Sequence, residues 1–129
     1  MASSTVTLAA ADGFACSAYL SEAPGRPKGA IVVLQEIFGV NSHIRAVADG
    51  YAAAGYRVIA PATFDRVARG VQLGYTPEDM KMGSGLKAEV AALPPPGVLR
   101  DIQAAVDFVA EAGKVGIVGY CWGGLLVWR

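Results

Sequence analysis

Three short apolar runs, each leading into turn chemistry, constrain this chain more than any other feature. They are Ala30-Ile31-Val32-Val33-Leu34, Tyr56-Arg57-Val58-Ile59-Ala60 (ended by Pro61) and Lys114-Val115-Gly116-Ile117-Val118. A strand covered on both faces has no polar side to show, so it reads as a near-continuous apolar run rather than an alternation. Between the first two runs, Ile44, Val47, Ala48, Tyr51 and Ala52 recur at helical spacing. Asn41 or Ser42 can cap that helix and Gly55 can stop it. Between the second and third runs, Gly97 to Glu111 puts Val98, Ile102, Ala105, Val106 and Val109 on one face, with Gly113 closing it. Strand, helix, strand, helix, strand is the pattern of a parallel α/β sheet with right-handed crossovers. Ahead of it, Thr5 to Leu8 alternates, Ala11-Asp12-Gly13 supplies a turn, and Phe14 to Leu20 resumes, predicting an N-terminal β-hairpin. The stretch from Phe64 to Pro96 is rich in Gly and Pro and resists assignment, beyond a helix start at Thr76-Pro77-Glu78-Asp79. There is no internal repeat and no sign of a second domain.

Composition narrows the function classes. A chain of 129 residues, 53% hydrophobic, is long enough for one domain with a real core. Eleven basic residues balance eleven acidic ones with no basic stripe, which argues against nucleic acid and against an anionic membrane. Cys16 and Cys121, the two cysteines, have neither metal spacing nor a disulfide framework. The opening Met1-Ala2-Ser3-Ser4-Thr5 lacks the charged and apolar regions of a signal peptide, and no apolar stretch approaches the roughly 18 residues of a membrane span. The expectation is a cytoplasmic protein with reduced thiols.

The third run leads into Gly119-Tyr120-Cys121-Trp122-Gly123. A small-x-nucleophile-x-small sequence behind a buried strand makes a sharp strand-to-helix turn with the nucleophile at its tip. The first run leads into Gln35-Glu36-Ile37-Phe38-Gly39, at the C-terminal edge where open α/β sheets bind ligands. Backbone N–H groups of Ile37 and of Trp122, the residue after the nucleophile, are the candidate oxyanion donors.

Gln35 to Asn41, Gly55 to Pro61 and Lys114 to Gly124 together closely resemble the dienelactone hydrolase family, in sequence and in the spacing of the blocks. The resemblance runs from about Ser4 to Arg129 and covers the N-terminal half of that family's domain. It implies an α/β-hydrolase fold, with a mostly parallel sheet preceded by the hairpin. It implies cleavage of a lactone or small carboxylic ester through a thioester on Cys121, with no metal or organic cofactor. The family glutamate matching Glu36 contacts the resting thiol and helps switch it to thiolate when substrate binds. This is chemically sensible, since a neighbouring carboxylate disfavours thiolate until it moves away. The family arginine that holds a substrate carboxylate falls near Lys81, and lysine would lose the bidentate fork.

Plainer readings stand beside these. Cys121 also reads as a small apolar residue, or as a redox-responsive thiol, and Glu36 as a solvated loop carboxylate. Lys81 reads equally as a substrate contact or a loop charge, and Tyr120 equally as a substrate contact or a packing residue. Cys16, inside the hairpin, reads as structural. His43, the one histidine, reads as a surface residue in the first helical turn. Asp65 and Arg66 read as a local ion pair.

The family's acid and histidine follow the nucleophile in chain order, and only eight residues follow Cys121 here. The expectation is therefore the N-terminal half of one α/β-hydrolase domain, truncated after the nucleophile elbow and nearly inactive alone. Its third apolar strand would have an open edge, to be covered by the C-terminal half of the domain or by a second copy, and the chain would not be a stable monomer. The alternative is a non-catalytic relic that uses this edge as an interaction surface.

Overall fold

A computed structural model describes residues 2–119 and 122–127. In chain order the elements are β1 (Ala2–Ala9), β2 (Ala15–Glu22), β3 (Ala30–Leu34), α1 (Ser42–Ala53), β4 (Arg57–Pro61), α2 (Pro77–Ala91), α3 (Leu99–Val109), a 3-10 turn (Ala110–Ala112), β5 (Val115–Gly119) and α4 (Trp122–Val127). The five strands form one mixed sheet in the order β1-β2-β4-β3-β5. The hairpin supplies its antiparallel part, pairing β1 with β2 and β2 with β4. β3 runs parallel to β4 on one side and to β5 on the other.

The apolar runs of β3 and β4 become strands for the reason their composition gives, whereas β5, expected to be covered on both faces, has no buried residue. Along β3, Val32 and Leu34 face a core shared with Ile59, Phe64, Ile102 and Val109, whereas Val33 faces Ile44, Ala48 and Val58 on the other side. All of these are buried. α1 covers one face through Ile44, Ala48 and Ala52, all with no exposed surface. Burying Ile44 alone contributes about 2–3 kcal/mol. α3 covers the opposite face through Ile102, Ala105 and Val109.

Of the two cap candidates, Asn41 is the one used, its side chain accepting from Ile44 N–H at 3.1 Å. The unassigned stretch holds α2, capped by Thr76, which accepts from Asp79 N–H at 3.1 Å. Only Gly83 and Val90 of this helix are buried, so its sequence carries almost no apolar periodicity.

Asp65 and Arg66 do not form a local pair. Arg66 instead grips Asp101 of α3 with Nε–Oδ2 at 2.7 Å and Nη2–Oδ1 at 2.9 Å, and also reaches Asp12 in the hairpin turn at 2.8 Å. Asp65 accepts from Ser17 N–H at 2.7 Å and lies 3.6 Å from Arg69. Consecutive side chains leave the backbone in different directions, so each found a distant partner. The Arg66 guanidinium holds the Asp12 carboxyl well below the usual carboxylate range.

β5 has β3 on one side, and among the described residues no strand on the other; Gly116 is exposed and Ile117 is 38% exposed.

Candidate active site

The C-terminal ends of β3, β4 and β5 converge on one edge of the sheet. Leu34 is paired with Gly119, so the loops leaving β3 and β5 start side by side. Gln35, fully buried, fixes the first of them. Its Oε1 accepts from Thr63 N–H at 3.0 Å and its Nε2 donates to the Glu36 carbonyl at 3.1 Å, tying the loop after β3 to the loop after β4. A buried amide with both ends occupied is a rigid brace.

α4 begins directly against this brace. A Cβ added at Gly123 would lie 2.5 Å from the Leu34 carbonyl oxygen and 2.6 Å from that of Gln35. No side chain fits there, which explains the glycine two residues after the candidate nucleophile. On the other side of the loop, a Cβ at Gly83 of α2 would collide with the Ile37 carbonyl oxygen. Ile37 thus lies with its carbonyl against α2, and among the described residues its N–H donates to no backbone oxygen.

Glu36 is half-buried on this loop. Its Oε1 accepts from the Tyr75 hydroxyl at 3.4 Å. Tyr75 belongs to a strap, residues 70–76, that crosses the loop from the β4 side. The strap is fastened by the Gly39–Gln72 bridge, by Leu73 N–H donating to the Phe38 carbonyl at 2.8 Å, and by Asn41 Nδ2 donating to the Leu73 carbonyl at 3.0 Å. Gly39 has φ +80°, and a Cβ there would collide with the Val71 carbonyl oxygen, so only glycine lets the strap approach.

The structure therefore brings Glu36, Ile37 and the start of α4 at Trp122 to one place. It does not bring Lys81 there. Lys81 precedes Gly83 by two residues, about 200° around the helix, and lines a shallow outer groove with Glu78, Met82 and Glu89. His43 is exposed in the first turn of α1. Tyr120 and Cys121 lie outside the described residues. Cys16 has no exposed surface, and its thiol is pushed up to about 12 by burial and by the nearby Asp101 and Asp65 carboxylates, which leaves it inert. Among the described residues no three His, Cys, Asp or Glu side chains converge as metal ligands, and no helix is long and apolar enough to cross a membrane.

Sequence reasoning passed over Gln35, Tyr75 and Gly83. A glutamine straight after a buried strand, and a glycine inside a helix, were the available signals. Tyr75 carried none, because its role depends on backbone pairing of the strap.

The model of the dienelactone hydrolase family matches residues 16–129. The chain belongs to the dienelactone hydrolase family. A Synechocystis sp. relative, named "putative carboxymethylenebutenolidase", is 40% identical over 103 residues, covering 76% of this chain and 41% of its own. The carboxymethylenebutenolidase of Pseudomonas putida is 30% identical over 125 residues, covering 94% of this chain and 52% of its own. A crystal structure of a "putative dienelactone hydrolase" from Klebsiella pneumoniae superposes with a TM-score of 0.72 at 29% identity, over 95% of this chain and 51% of that one. The chain thus spans roughly two fifths to one half of the length of the family members it matches. The mixed α/β sheet of this chain matches the fold of the Klebsiella pneumoniae structure.

Proposed function

We propose that the complete protein hydrolyses a small carboxylic ester or lactone with Cys121 as nucleophile. The observation that carries this reading is the contact of Gly123 with the Leu34 and Gln35 carbonyls, which seats the start of α4 against the loop bearing Glu36 and Ile37. The Cys121 thiolate attacks the ester carbonyl carbon, and the oxyanion that forms is held by the N–H groups of Ile37 and Trp122. Collapse expels the alkoxide, which takes up a proton, and leaves a thioester on Cys121. Water then cleaves the thioester to the carboxylic acid and returns the thiol. Glu36 is assigned the regulation of the thiol, since a carboxylate beside a thiol disfavours thiolate and its withdrawal favours it. The general base and its acid partner are assigned to the remainder of the domain, because His43 is exposed on α1. The same remainder, rather than a second copy, is the proposed cover for the open flank of β5, in keeping with the half-length match to the relatives.

The test is to incubate the full-length protein with a p-nitrophenyl ester and map the acyl group by peptide mass. The acyl group is expected on the peptide containing Cys121, with hydrolysis abolished in Cys121→Ala. Full activity in that variant, or acylation elsewhere, refutes the reading.

A further inference from the structure

Glu36 is the end of a directed hydrogen-bond chain. Asn41 Oδ1 accepts from Ile44 N–H at 3.1 Å in capping α1, and this fixes which way the amide faces. Asn41 Nδ2 is thereby turned to the Leu73 carbonyl at 3.0 Å and to Tyr75 Oη at 3.4 Å. An ionised carboxylate only accepts, so the Tyr75 proton goes to Glu36 Oε1, also at 3.4 Å. The Tyr75 ring stands edge-on to Phe38, with centroids 4.5 Å apart and planes at 69°, and it is 54% exposed. The amide that caps α1 and holds the Leu73 carbonyl thus also sets the polarity of a contact on the candidate thiol regulator. The strap that carries Tyr75 arrives from the end of β4 and the elbow from the end of β5, strands that flank β3 on opposite sides.

We infer that Tyr75 is the positioning residue of Glu36: its hydroxyl is the place to which the carboxylate withdraws when it leaves the Cys121 thiol. The inference rests on the reading of Cys121 and Glu36 given above. With the hydroxyl present, the withdrawn carboxylate has a donor, and thiolate at the elbow is favoured. Without it, Glu36 has one fewer place to go and spends more of its time against the sulfur. The substrate needs only to tip Glu36 between two positions, not to expel it into solvent.

Iodoacetamide alkylation of Cys121 in the full-length protein, read by peptide mass as a function of pH, tests this. Tyr75→Phe keeps the ring against Phe38 and removes only the hydroxyl. It is expected to raise the midpoint of the alkylation profile by about half to one pH unit, slowing alkylation at neutral pH about three- to tenfold. Turnover of a p-nitrophenyl ester should fall with it in kcat while KM holds. Glu36→Gln is expected to lower the midpoint, and the double variant to match Glu36→Gln alone. A role in packing alone would lower the melting temperature of Tyr75→Phe and leave the midpoint where it was. An unmoved midpoint in Tyr75→Phe, or a rise that persists in the double variant, overturns the inference. If Glu36→Gln moves the midpoint and Tyr75→Phe does not, only the role of Tyr75 fails. If neither moves it, the assignment of Glu36 as thiol regulator fails as well.

Discussion

Replacing Gly123 with alanine tests the site geometry at its tightest point. The new Cβ would start 2.5 Å from the Leu34 oxygen, 2.6 Å from the Gln35 oxygen and 2.9 Å from the Leu34 carbonyl carbon. All three are backbone atoms, so no rotamer change relieves the clash. Real Cβ atoms essentially never approach closer than 3.0 Å, so something must retreat by about half an ångström or more. β3 is poorly able to yield. Leu34 is paired with Gly119, and Gln35 is braced to Thr63. α4 is therefore expected to move, carrying the elbow with it. Overpacking of this kind costs about 1–3 kcal/mol, and a displacement approaching 1 Å at reacting groups lowers turnover by up to about a hundredfold. The assay is ester hydrolysis by the full-length variant, alongside its thermal unfolding. Gly85→Ala is the control, because nothing lies within 4 Å of its new Cβ inside α2. It should leave activity unchanged and add about 0.5–1 kcal/mol of stability. A Gly123→Ala protein with full kcat/KM and unchanged stability would refute the close approach and, with it, the seating of the start of α4 beside the Glu36 loop.

Other outcomes follow from the ion pairs and thiols. Arg66→Ala leaves Asp101 buried without its guanidinium and should cost about 3–5 kcal/mol in denaturant unfolding. The depressed Asp12 carboxyl means that its contribution is complete above its unfolded value of about 4 and is lost as pH falls below it. Asp12→Asn should therefore flatten the fall in melting temperature on the acid side of pH 4 and not at neutral pH. Cys16, with its thiol near 12, should react with iodoacetamide at pH 8 about a thousandfold more slowly than a free thiol, and label only on unfolding. The polypeptide 1–129 by itself is expected to acylate slowly without turnover; fast, saturable hydrolysis by it would show that no further base is needed.

The sheet and the edge where the loops after β3 and β5 meet were legible because their signals are local. Val32-Val33-Leu34 must be covered on both faces, Asn41 sits where a cap is needed, and Gly123 follows Cys121 at the spacing a tight turn demands. Other features were illegible because their partners are far away along the chain. Arg66 is bonded to Asp12 and Asp101, not to its neighbour Asp65. α2 hides its period because its buried residues are only Gly83, which passes over the Ile37 carbonyl, and Val90. Lys81 matched a family position by count, yet the helical turn points it outward.

The strap is held largely through main-chain groups, the Gly39–Gln72 bridge and the Leu73–Phe38 bond. The bridge at Gln72 is made by the backbone and does not depend on its side chain, unlike Tyr75, which meets Glu36, and Thr76, which caps α2. Gln72 can therefore be varied without loosening the strap or touching the brace at Gln35 and the sheet beneath it. A library randomised at Gln72 should yield folded, active proteins more often than one randomised along β3, whose residues Val32, Val33 and Leu34 have no exposed surface.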